Sequence, residues 1–93
     1  MIETIRMTYT TQAVLKALLA SDKELSGSQI QEVSDSWFLN SGTLYPILFR
    51  LERAGWLGSR WEEIDPQAEG RPRRRFYRLT EDGKKLAKEA LAR

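Results

Sequence analysis

The chain contains no cysteine and no histidine, and each absence removes a body of chemistry. Disulfides and thiol nucleophiles are gone with the first. The commonest general base is gone with the second, and the usual zinc ligands are gone with both. Ser41 has neither a nucleophile-elbow context nor a histidine to activate it, and no Gly-rich loop ends in Lys-Ser or Lys-Thr to hold a nucleotide phosphate. The expectation is therefore a protein that is not an enzyme and needs no metal or cofactor. No apolar run approaches the length of a membrane span, and Met1-Ile2-Glu3-Thr4-Ile5-Arg6 has neither the apolar core nor the flanks of a signal peptide. A cytoplasmic protein with no membrane partner is expected. Proline and glycine are scarce, at three and six of 93 residues, so each one punctuates the pattern informatively. That length suits one domain, residues 1–93, built on one core.

Charge is unevenly placed. Residues 1–45 carry Arg6, Lys16 and Lys23 against Glu3, Asp22, Glu24, Glu32 and Asp35, a balance of −2, and since the whole chain is +2 the remainder is +4. Within that remainder Arg71, Arg73, Arg74, Arg75 and Arg78 fall in eight residues without a carboxylate. Arginine forks suit phosphate better than lysine does. The plainer reading of such a run is a solvated edge strand guarded against aggregation, but its position after a helix of suitable kind favours nucleic acid.

That helix is the stretch from Asn40 to Gly55. Leu44, Ile47, Leu48 and Leu51 recur at i, i+3, i+4 and i+7 and form one apolar stripe. Most nearly opposite lie Gly42, Pro46, Phe49 and Arg53, flanked by Thr43 and Arg50 on one side and Ser41 and Tyr45 on the other. Ser41 or Thr43 is expected to cap the first turn, which Pro46 confines to a start at Gly42 or Thr43. At the other end Gly55 fits a left-handed C′ position, with Leu51 at C3 and Trp56 at C″ of a Schellman ending.

Around this helix the remaining elements fall in order. Residues 1–9 fit helix and strand periods equally. A first helix starts at Thr10 or Thr11 and buries Val14, Leu15, Leu18 and Leu19; Ser21-Asp22-Lys23-Glu24 reads as a loop. Ser26 and Gln29 fit a capping box, with Leu25 and Ile30 as its hydrophobic staple, so a second short helix runs to about Ser34. Trp37, Phe38 and Leu39 are expected to plug the corner before the central helix. After Gly55 the period changes to two: Leu57 and Trp61 share one strand face, Tyr77 and Leu79 share a face of a second strand, and Asp65 to Pro72 is turn-rich. Thr80 caps a last helix, too short to stand alone, whose Leu86, Ala90 and Leu91 must dock on the domain or on another copy.

The predicted class is mainly α with a small β-hairpin (α+β), a winged helix-turn-helix with the order helix, helix, helix, strand, strand, helix. Residues 10–34 supply the first two helices, 41–54 the recognition helix, 57–79 the wing and 80–93 the closing helix. A recognition helix with a small-residue N-terminus fits the major groove of double-stranded DNA. The candidate DNA-binding set is Ser41, Gly42, Thr43, Tyr45, Pro46 and Arg50 on the helix with Arg71, Arg73 and Arg74 on the wing, where the arginines meet backbone or an adjacent minor groove.

Two sets of residues also carry a resemblance: Ser41-Gly42-Thr43-Leu44-Tyr45-Pro46-Ile47-Leu48 continued by Arg50-Leu51-Glu52-Arg53-Ala54-Gly55-Trp56-Leu57, and Gly70-Arg71-Pro72-Arg73-Arg74-Arg75-Phe76-Tyr77-Arg78-Leu79-Thr80 with Gly83. In order and spacing the chain resembles the PadR family of bacterial transcriptional regulators over roughly residues 10–85. The resemblance implies a dimeric winged-helix repressor whose third helix and wing bind a roughly palindromic operator, released in many members by a small-molecule effector. It puts Ser41, Gly42, Thr43 and Tyr45 at the DNA face of the helix and Arg73 and Arg74 on the wing. Members often open the second helix with Gly-Tyr, where this chain has Gly27-Ser28. Their dimers use a longer C-terminal helix, so here the homodimer is expected to recruit the first nine residues, to be weak, or to pair differently.

Several readings stay open on the residues alone. Phe49 either meets a thymine methyl or sugar, or covers the wing or a neighbouring strand. Arg50 and Arg53 either face DNA or pair with Glu62, Glu63 or Glu69. Arg75 shares its alternation face with Tyr77 and is in part structural. The competing classes are a winged helix used as a protein-interaction module and a DNA-associated protein without sequence preference.

Overall fold

The computed structural model describes residues 5–34 and 40–93. Helix α1 spans Tyr9–Leu19 and begins one or two residues before the expected start, because the Thr8 hydroxyl accepts from Thr11 N at 3.1 Å and caps the first turn. Val14, Leu15, Ala17 and Leu18 turn inward from it. Helix α2, Gly27–Ser34, opens with the expected reciprocal pair: Ser26 N donates to Gln29 Oε1 at 2.9 Å and Gln29 N to Ser26 Oγ at 3.3 Å. Trp37, Phe38 and Leu39, expected at the following corner, lie outside the described residues.

Helix α3 spans Ser41–Arg53, and its cap differs from expectation. Neither Ser41 nor Thr43 holds the first turn; Asn40 does, its Oδ1 accepting from Thr43 N at 3.1 Å. The longer Asn side chain stands one residue upstream, where a cap reaches the N3 amide. Helical geometry therefore starts earlier than Pro46 suggested, and Pro46 lies inside the helix. The C-terminal reading holds in detail. Gly55 has φ 88°, Trp56 N donates to Leu51 O at 2.9 Å and Gly55 N to Glu52 O at 3.1 Å, the two bonds of a Schellman motif.

The chain then enters the wing, β2 (Leu57–Trp61) and β3 (Arg75–Leu79), antiparallel with Leu57 opposite Leu79, Ser59 opposite Tyr77 and Trp61 opposite Arg75. Two features add to the expected hairpin. A two-residue strand, β1 (Leu25–Ser26), pairs with β3 and makes a three-stranded sheet of order β1-β3-β2; two residues are too few to show a strand period. Between β2 and β3 the turn-rich stretch winds into one helical turn, α4 (Pro66–Glu69), with Asp65 as N-cap and Gly70 closing it at φ 68°.

Helix α5, Glu81–Leu91, closes the fold, with Gly83 N donating to Thr80 Oγ1 at 2.9 Å. It docks within the same molecule: Ala87 is fully buried, and Leu86 and Leu91 pack on the core. That core joins α1, Ile30 of α2, the Leu44, Ile47, Leu48 and Leu51 stripe, Trp56, Leu57, Tyr77 and Leu79. Each fully buried leucine or isoleucine contributes roughly 1.5–3 kcal/mol by burial. Because the stripe faces inward, the rest of α3 faces out beside the wing.

Candidate nucleic-acid interface

On the outer side of α3, Ser41, Gly42, Tyr45, Pro46, Phe49, Arg50 and Arg53 are exposed, and Thr43 is half-buried. Pro46 has no N–H, so the Gly42 carbonyl lacks its i+4 helical donor on this exposed face. Tyr45 leans toward the start of α2. A Cβ added to Gly27 would stand 2.4 Å from the Tyr45 hydroxyl, which shows how closely the phenol sits over that backbone. Contrary to one sequence reading, neither Arg50 nor Arg53 pairs with Glu62, Glu63 or Glu69.

The wing arginines divide into two kinds. Arg71 forms a fork with Glu62, Nη1 to Oε1 at 2.7 Å and Nη2 to Oε2 at 3.0 Å, and Arg74 N donates to the same carboxylate at 3.2 Å. The Arg71 fork, helped by that amide, holds the Glu62 carboxyl down at about 2. Arg75 donates through Nε to Ser59 Oγ at 3.1 Å, lies 3.5 Å from Glu52 and stacks 5.1 Å over Trp61. Ser59 in turn donates to Glu52, so one carboxylate of α3 is tied to both wing strands. On the opposite sheet face Arg60 pairs with Glu24 and lies 5.1 Å over Phe76, and Arg78 packs against Gly58.

Arg73 and Arg74 remain the most available. Arg73 uses Nε on Ile64 O at 3.0 Å, and the Arg74 side chain is exposed. Both line one cleft with Tyr45, Ser28 and Trp61, between the start of α2, α3 and the wing. The structure thus brings Tyr45 together with Arg73 and Arg74, sets Ser41, Gly42, Thr43, Pro46 and Arg50 along the same helix, and engages Arg71 inside the wing. Sequence reasoning did not single out Glu52, Ser59 or Ser28, and it named Glu62 only as a partner for Arg50 or Arg53; the roles of Glu52, Ser59 and Glu62 depend on contacts to and within the hairpin. The register of the strands, which runs on from Trp61 opposite Arg75 to bring Glu62 beside Arg74, is the signal that locates Glu62.

Among the described residues no helix is long and apolar enough to cross a membrane, and no three potential metal ligands cluster.

Comparison with known proteins agrees with this geometry. A family model described as the transcriptional regulator PadR-like family matches residues 18–89. The structure of a PadR family transcription regulator from hypervirulent Clostridium difficile is similar with a TM-score of 0.71 at 29% identity, covering 91% of this chain and 85% of that one. A PadR-like transcription factor from Bacteroides fragilis gives 0.72 at 27% identity, over 90% of this chain and 78% of the other. Bacillus subtilis PadR, solved in complex with operator DNA, shares the fold with a TM-score of 0.74 at 24% identity; 92% of this chain aligns, spanning 49% of that protein. No curated protein matches the sequence.

Proposed function

The chain belongs to the PadR-like family of transcriptional regulators, and from that premise we propose that it is a sequence-specific repressor acting in the cytoplasm as a homodimer on an inverted-repeat operator. The observation that carries the proposal is the uncovered outer face of α3 standing beside a wing whose Arg73 and Arg74 share a cleft with Tyr45. Ser41, Gly42, Thr43 and Pro46 give α3 a narrow leading end that enters the major groove, and its first amides carry the positive end of the helix dipole. Tyr45 and Arg50 border that end and meet sugar and phosphate. Arg73 and Arg74 add affinity through phosphate, while sequence is read from α3. Arg71 contributes by holding the wing through Glu62 rather than by contacting the duplex. Repression follows from occupancy, since a bound dimer excludes other proteins from the same stretch of promoter.

Selection of bound duplexes from a random pool at moderate salt, read with the protein's mass in solution, tests the proposal. An enriched inverted repeat and a dimeric mass are expected. Binding that is salt-labile with no enriched sequence would refute the specific regulator and favour a non-specific DNA-associated role; absence of duplex binding would favour a protein-interaction module.

A further inference from the structure

Phe49 is the most exposed large apolar side chain on α3, with 63% of its surface open. A phenyl ring that covered the wing or a neighbouring strand would not remain so open, so that reading of the sequence falls away. The ring continues the outer stripe begun by Gly42 and Pro46 and carried on by Arg53, with Arg50 along one side, and all four are exposed. α3 itself puts no carboxylate on this face: Glu52, its one acidic residue, is turned to Ser59 and Arg75. An occupant must therefore offer one apolar contact with negative charge beside it. The major groove has that pattern, because the thymine C5 methyl is its apolar group and phosphates border it.

We propose that Phe49 is a specificity-determining residue that reads a thymine methyl in each half-site, with Arg50 and Arg53 on the flanking phosphates. The proposal rests on the operator-binding reading above. Burying one methyl against a ring is worth about 0.8 kcal/mol, which is about fourfold in affinity.

The experiment uses the duplex selected by the wild-type protein and replaces each thymine of a half-site in turn by deoxyuridine, which removes the methyl and leaves every hydrogen-bonding group. Wild type should lose about fourfold at one position. Phe49→Ala should bind thymine and deoxyuridine equally there, and Phe49→Leu should keep part of the preference. Indifference of the wild type to deoxyuridine at every position, or an unchanged preference in Phe49→Ala, would overturn the role of Phe49 while leaving the regulator reading intact. A Phe49→Ala protein that keeps the preference but loses its dimeric mass would assign this face to a second copy and also overturn it. Failure to enrich any duplex would remove the regulator reading and this inference together.

Discussion

Replacing Gly83 by alanine opposes two effects whose signs differ, and the structure decides between them. On helix propensity alone, alanine inside α5 should stabilise by about 1 kcal/mol. A Cβ at residue 83, however, would stand 2.0 Å from the Trp56 carbonyl oxygen and 2.8 Å from its carbon. Backbone cannot swing aside as a side chain does, so α5 must retreat from the end of α3. That retreat strains the seam in which Thr80 N donates to Trp56 O at 2.9 Å and Thr80 Oγ1 to Gly55 O at 2.8 Å. Two such bonds are worth about 1 kcal/mol each, and overpacking costs roughly 1–3 kcal/mol more. After the propensity gain, the net loss is about 2–4 kcal/mol. Urea unfolding of Gly83→Ala beside wild type measures it, with Lys85→Ala as an exposed control on the same helix, expected to stay within about 0.5 kcal/mol. A Gly83→Ala protein as stable as wild type, or more so, would show that the seam yields freely and that the close approach is not why glycine stands there.

Thr43→Ala should weaken binding to the selected duplex by roughly 1–3 kcal/mol while leaving binding to unrelated DNA unchanged, and Tyr45→Ala, which loses a sugar and phosphate contact, should weaken binding to both, neither moving the unfolding midpoint; unaltered specific affinity in both would move recognition off the start of α3. Arg73→Ala with Arg74→Ala should lower affinity for all duplexes and reduce the slope of log affinity against log salt by about 2, near 0.9 per lost phosphate contact. Arg71→Ala should leave that slope unchanged, because its guanidinium is already held by Glu62; a drop like that of Arg73 and Arg74 would show it released to the duplex on binding. Glu62 has a folded value of about 2 against an ordinary 4.5, so its ionised form favours the folded state above about pH 4.5 and that contribution is lost as pH falls toward 2. Glu62→Gln should flatten the stability curve in that window, read from urea midpoints between pH 6 and 2, and a curve parallel to wild type would deny Glu62 the role.

Local chemistry made much of the fold legible. The Leu44, Ile47, Leu48 and Leu51 stripe, the Ser26 and Gln29 capping box and the Gly55 ending each depend on residues within one or two turns, and each stands where periodicity and capping rules put it. What could not be read from neighbours was decided by distance. β1 exists only because β3 arrives beside it from far along the chain, at Ser26 opposite Phe76 and Leu25 opposite Tyr77. Asn40 caps α3 in place of the expected Ser41 or Thr43, because several cap-forming side chains stand within four residues and the finished backbone selects among them. The arginine run read as one basic feature, yet Arg71 is claimed by Glu62 and Arg75 by Glu52 and Ser59. Composition can count such charges; pairing across the hairpin assigns them.

Those pairings also bear on how the interface works. α3 and the wing are joined at the helix end by the Schellman turn and the Thr80 seam, and part-way along by Glu52 with Ser59 and Arg75. The loop beyond β2 is held by the Arg71 and Glu62 fork. Half-buried ion pairs of this kind, still screened by water, add only modestly to global stability, and their larger value lies in geometry. Each removes freedom that binding would otherwise have to remove, and an interface ordered before contact loses less free energy on association than one that orders during it. The arginines engaged within the wing therefore serve the same end as Arg73 and Arg74. Arg71 and Arg75 fix the spacing between the helix face and Arg73 and Arg74, and under the proposed function a duplex then meets both at once.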